Sequence, residues 1–455
     1  SLFCAAGLYA YDELVMCQVM QRGMRALYCG ASIYVNYKFV WSPEAASEVH
    51  SRVAREIVET CKANEGLFVK FGQLLGSMQV ALPPEYVGPL GELHDQAKTF
   101  DAAIVRAMLQ TELGPEVLAR LTDLSPEPVA SASVAQVHTA YLDGKKVAVK
   151  VQKPNIAVQN KWDLFIYRLV LSGLEYSFEI PMVWSYGFVR QQLESELDFR
   201  VEAANARQCR DDILSHRELS RVAYVPETYE SSERVIITEW IDGAVKITDS
   251  EQIQGMGIDA SRAIRDATNL FAYQIFGSGN VHCDPHPGNL LVRVRPPDHC
   301  KDVPVVLIDH GLYVHLSDEL RHDYISFWMA MMLDDEAQLV AKCKKWGIHD
   351  SELFSSMTLM RRRDKKPKAG ASTAALPTAT GHYENEEGQN KLKERVKNLL
   401  NDTSKFPSEL GFVNRSVNYI RATNWAHGSP IDRVSIFAST AARASAGDRG
   451  RIGEW

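Results

Sequence analysis

Asn280-Val281-His282-Cys283-Asp284-Pro285-His286-Pro287-Gly288-Asn289, followed by Leu307-Ile308-Asp309-His310-Gly311, is the stretch on which the reading of this chain turns. It offers a carboxylate at Asp284, a carboxamide five positions on at Asn289, and a second carboxylate at Asp309, at the end of the apolar run Val303 to Ile308. Asp309 and Asn289 suit a magnesium ion held against phosphates, because hard cations take oxygen ligands. Asp284 stands where a hydroxyl to be phosphorylated would be oriented. A polar turn between strands is the plain alternative.

Working outward, Val147-Ala148-Val149-Lys150 ends a short strand after an Asp143-Gly144 turn, the setting in which kinases place the lysine that holds the α- and β-phosphates. Alone it reads as a solvated lysine; in order with the other two elements it reads as a phosphate ligand.

Four signatures, one of them within the opening stretch, carry a family resemblance. They are Lys70-Phe71-Gly72-Gln73, the alanine-rich stretch Pro128 to His138, Glu196-Leu197-Asp198, and His282 to Asn289. On these the chain resembles the UbiB family, the aarF-domain-containing atypical kinases, from about Ala54 to beyond Ser439. The resemblance implies an α+β, bilobal protein-kinase-like fold that binds ATP or ADP with Mg2+ or Mn2+. It implies a helix bearing Lys70 and Gln73 folded across the nucleotide pocket, Glu196 and Asp198 facing that helix, and Glu202 paired with Lys150. It further implies a role in coenzyme Q or isoprenoid-lipid homeostasis and a mitochondrial, inner-membrane-associated location. Where protein kinases carry a glycine-rich loop, this chain has Ala130, Ser131, Ala132 and Ser133, a stiffer backbone with two hydroxyls available to phosphate. Glu239 to Gly243, including Ile241, looks like the hinge that meets an adenine. His310 replaces the usual Phe between Asp309 and Gly311, and no Ala-Pro-Glu follows.

At 455 residues the chain exceeds what one core usually supports, so two or more lobes are expected. The expected division is a helical extension over 1–126, an N-lobe over 127–243 and a mostly helical C-lobe over 244–455, with a disordered insertion about 361–390. A net charge of -7 argues against nucleic acid as the main partner. Eight scattered cysteines without a C-x-x-C pair indicate neither zinc site nor disulfide framework. The chain opens on Ser1 rather than Met, as expected of a fragment that lacks any targeting segment. Gly23 to Trp41 is expected to be a packed helix, with a membrane-surface helix as the alternative. Pro43 to Ser77 is expected to be helical with a break at Asn64-Glu65-Gly66, and Val189 to Ala206 to form one acidic helix.

The function expected is that of an atypical kinase or ATPase acting on a nucleotide, with a membrane surface or isoprenoid lipid as further partner. A catalytically weak pseudokinase scaffold, a protein kinase acting in trans and a small-molecule phosphotransferase are the alternatives. Oligomeric state is left open.

Overall fold

The computed structural model describes residues 11–13, 16–77, 83–94, 99–179, 182–293, 305–359 and 406–447. The expected insertion about 361–390 lies outside them. The chain divides into two compact units, one formed by 1–200 and 229–238, the other by 201–228 and 239–455. The helical extension and the sheet that follows it fall in the first unit.

In the first unit, helices Val19–Val35, Ala46–Asn64 and Gly66–Ser77 are followed by Pro84–Gly91 and Ala102–Arg120. The Ala46 helix starts later than the Ser42-Pro43 signal suggests: the Ser42 hydroxyl accepts the Ala45 N–H at 3.2 Å within a turn, and the helix begins after it. Glu65, at φ 55, makes the expected break. Gly114, at φ 79 and just before Pro115, puts a kink inside the Ala102–Arg120 helix. A six-stranded sheet follows, built on the antiparallel hairpin Ala135–Leu142 and Lys145–Gln152. Its turn is Asp143-Gly144, both with positive φ, which gives a two-residue loop the twist a hairpin needs. Val147, Val149 and Val235 of the sheet are buried against Val105 and Leu109 of the Ala102–Arg120 helix. A separate apolar cluster, with Val49, Val53 and Val58 at helical spacing, holds the extension together.

Helices Ile156–Phe178 and Trp184–Glu196 complete the unit. The acidic run expected as one helix is two. Leu197 and Asp198 separate Trp184–Glu196 from Phe199–Leu214, because the Asp198 carboxylate accepts the Arg200 N–H at 3.0 Å as a cap and the Phe199 N–H turns to the Glu233 carbonyl.

The second unit takes nearly all of Phe199–Leu214 and is mostly helical. Ala260–Tyr273, capped by Asp259, runs into a π-turn at Gln274–Ser278 and ends on Gly279 at φ 75. Asp318–Leu333 buries Tyr324, Phe327 and Trp328 as an aromatic core. Ser408–Ala426 and Arg433–Ser445 close the unit. Two small sheets carry the chemistry-bearing loops. Leu290–Val292 pairs antiparallel with Val305–Leu307, and Asn280–His282 with Tyr313–His315.

Candidate active site

The catalytic-loop sequence is held at both ends by strands. Leu290 opposite Leu307 sets the register, and the Ile308 N–H donates to the Asn289 carbonyl at 3.0 Å, so Asn289 and Asp309 are delivered by adjacent strand ends. His282 is completely buried, and burial holds its imidazole below the usual pKa, in the neutral form. Its Nδ1 accepts the Asp284 N–H at 3.1 Å, so Nε2 carries the proton and donates it to the Asp309 carbonyl at 2.8 Å. One imidazole thus fixes the backbones of both carboxylates.

Asn289 donates from Nδ2 to the Asp284 carbonyl at 3.1 Å, which sets the amide flip and leaves Oδ1 as its ligand atom. Asp309 is exposed, at φ 60, with one carboxylate oxygen 3.3 Å from the Gly311 N–H. This positive φ at a non-glycine is strain of the sort that functional sites retain. Among the described residues no three or more His, Cys, Asp or Glu gather into a metal cage. One carboxylate plus one amide oxygen fits magnesium, which completes its shell with phosphate and water.

His310, the departure from Phe, is buried and satisfied. Nε2 donates to the Leu307 carbonyl at 3.1 Å and Nδ1 accepts the Tyr313 hydroxyl at 2.8 Å, with the two rings stacked. The His310 carbonyl accepts from Asn205 Nδ2 at 3.0 Å, tying the segment to helix Phe199–Leu214. Glu202, on the same helix, is buried. Glu239 of the expected hinge accepts the Tyr224 hydroxyl at 2.5 Å and its N–H donates to the Glu227 carbonyl, while Ile241 is half-buried.

Sequence reasoning missed Arg415, whose Nη2 lies 2.9 Å from Asp284 Oδ1. It comes from helix Ser408–Ala426, far along the chain. The available signal was an arginine on the apolar face of Phe412, Val413 and Val417, where a charge is costly unless paired. Asn205 and Tyr313 gave no signal of their own.

The first unit holds the other predicted residues. Lys70 Nζ is 3.0 Å from Glu196 Oε2, with both side chains largely buried, so the expected pairing of these two is present. Asp198 instead binds Arg200, whose guanidinium holds its carboxyl below the usual carboxylate range. Gln73 donates to the Leu93 carbonyl at 3.0 Å and so anchors its own helix. A Cβ at Gly72 would lie 2.2 Å from Leu93 Cδ1, so a larger residue there would have to displace the leucine side chain. Lys150 sits opposite Val137 in the hairpin, its ammonium 5.1 Å from the centre of the Phe199 ring. Ala130 and Ser131 pair with Val137 and Gln136, and the Ala132 N–H bonds the Ala135 carbonyl, closing a tight turn. Ser133 is buried with its hydroxyl unpartnered.

A neutral histidine joining two carboxylate-bearing loops, with an amide oxygen beside them, is the arrangement of an atypical phosphotransferase of the kinase type. The model of the ABC1 atypical kinase-like domain matches residues 92–343, and the chain belongs to that family, the UbiB group whose motifs it carries. An ABC1 family protein of Schizosaccharomyces pombe is 31% identical over 445 residues, covering 96% of this chain and 81% of that protein. AarF domain-containing protein kinase 1 of Xenopus tropicalis is 35% identical over 320 residues, covering 69% of this chain and 60% of that protein. Among solved structures, the Rv3197–erythromycin complex from Mycobacterium tuberculosis has a TM-score of 0.45 and 21% identity, covering 84% of this chain and 97% of that one.

Proposed function

We propose that this chain is an atypical kinase or ATPase that binds ATP or ADP with Mg2+ or Mn2+. The observation that carries the reading is His282, which locks the Asp284 and Asp309 backbones into one rigid set beside Asn289. Asp309 and the Asn289 amide oxygen would hold the metal, which when bound neutralises phosphate charge. Asp284 orients the acceptor hydroxyl, and Arg415 fixes the carboxylate that does so. Lys150 supplies positive charge for the α- and β-phosphates, with Glu202 as its orienting acid and Glu239 to Ile241 as the adenine-facing backbone. Lys70 and Glu196, with Gln73 and Asp198 steadying their helix ends, are the residues through which the resemblance gives the family-specific extension its part. The same resemblance supports a task in coenzyme Q or mitochondrial lipid homeostasis at the inner membrane.

Thermal-shift measurements test this: stabilisation by ATP or ADP is expected only with Mg2+ or Mn2+, and is lost in Asp309→Asn. No stabilisation of the wild type under any of these conditions overturns the reading. His310 leaves a second reading, a scaffold that keeps the fold without turnover. Equal phosphate release by wild type, Asp309→Asn and Lys150→Ala would establish it.

A further inference from the structure

Helices Val19–Val35 and Ile156–Phe178 run parallel. Gln159 Nε2 donates to the Cys17 carbonyl at 2.9 Å, Arg22 pairs with Asp163, and Cβ atoms on Gly23 and Gly30 would meet Ile166 and Val170, so numbering rises together on both. With the facing rows fixed, the 3.6-residue period puts Met20, Met24, Leu27, Tyr28 and Val35 on one side of the first helix. Because the pair is parallel, Val158, Trp162, Phe165, Leu169 and Tyr176 emerge on the same side of the second. All are exposed, from 37% at Leu27 to 89% at Tyr176.

No charge interrupts either row. The helices are about 26 and 35 Å long at 1.5 Å per residue, so the apolar face is far larger than the scattered exposed side chains normal for a free surface. Its rim decides the occupant. Of the acids on these two helices, Asp163 is buried with Arg22, and Glu175 accepts the Met182 and Val183 N–H groups. The other charges are Arg25, Lys161 and Arg168, all cationic in a chain of net charge -7; Arg25 turns to Ala63 and Asn64, and Lys161 and Arg168 line the outer edge of the second helix. A cationic rim repels a second copy of itself. It attracts an anionic lipid surface, at which Trp and Tyr rings are also favoured. Among the described residues no helix is long and apolar enough to cross a membrane, so the pair would lie along the interface.

We propose that this two-helix face docks the chain onto an anionic bilayer surface. The proposal deepens the lipid-coupled part of the function above and is independent of its nucleotide chemistry.

Co-sedimentation with vesicles tests it, beside a thermal shift with ATP and Mg2+ on the same preparations. The chain is expected to pellet with equimolar phosphatidylcholine and phosphatidylglycerol, more weakly with phosphatidylcholine alone, and less as salt rises. Lys161→Ala with Arg168→Ala should weaken binding to the anionic vesicles about thirtyfold, at about 1 kcal/mol per cation near the surface. Trp162→Glu with Phe165→Glu should abolish sedimentation on both and leave the nucleotide shift intact. A wild type that shifts with nucleotide but pellets with neither vesicle overturns the docking alone; one that pellets without a shift supports it while the nucleotide reading fails. A wild-type dimer made monomeric by Trp162→Glu, with no vesicle binding, assigns the face to a second copy and also overturns it.

Discussion

His282 donates from Nε2 to the Asp309 carbonyl at 2.8 Å while its Nδ1 accepts the Asp284 N–H, so a single buried ring sets two loops. His282→Ala removes both bonds and leaves an N–H and a C=O without their partner in a dry site. A loss of about 3–5 kcal/mol is expected, from the unmade bonds and the cavity. Urea unfolding measures the loss. Nucleotide stabilisation in the presence of Mg2+ should vanish in the same variant, even at temperatures where it remains folded.

The Lys70–Glu196 pair is largely buried, so its strength should exceed that of a surface ion pair. A double-mutant cycle with Lys70→Met and Glu196→Gln is expected to give a coupling of about 1–3 kcal/mol. A value indistinguishable from zero would mean that solvent already screens it.

His310→Phe restores the residue common in protein kinases but strips the Tyr313 hydroxyl and the Leu307 carbonyl of a shared partner. Burial already pushes the Tyr313 phenol well above its usual pKa, a measure of how dry the place is. The substitution should destabilise by about 1–3 kcal/mol. Pairing it with Tyr313→Phe should recover part of the loss, since both polar ends are then gone from that contact.

Asp323 is bonded by Lys342 at 2.6 Å and Lys345 at 2.5 Å; partial burial opposes its ionisation, but the two ammonium groups prevail and hold its carboxyl below the usual value. A carboxyl whose folded pKa is depressed contributes stability above its unfolded pKa, about 3.9, and loses it as pH falls through the folded value. Asp323→Asn should therefore cost about 1–2 kcal/mol at neutral pH, discounted for the half-exposed Lys345. The difference from wild type should close on acidification below about pH 4. Melting curves across pH read both effects.

Much of this molecule could be read from its residues because the chemistry is local. Asp284, Asn289 and Asp309 announce themselves by type and spacing, and Asp143-Gly144 announces its hairpin by the backbone it permits. The Gly66–Ser77 helix was legible for the same reason. The break at Leu197-Asp198 was not: Glu194 to Glu202 keeps helical spacing, and beside the Asp198 cap the Phe199 N–H is taken by the Glu233 carbonyl, from another part of the chain. Arg415 was hidden likewise, since its partner is 131 positions away. Gln73 was read as a pocket residue, yet its bond is to Leu93, which no motif includes.

The chain crosses between its two units three times, after residues 200, 228 and 238. The first unit lends its sheet the strands between Thr228 and Glu239 only after the second has begun. During synthesis on the ribosome, then, the amino-terminal half must wait with an unfinished sheet edge until Thr238 has left the exit tunnel. A protease cut within 201–228 would leave two fragments interlocked, each completing the other's fold, and no simple truncation yields either unit whole.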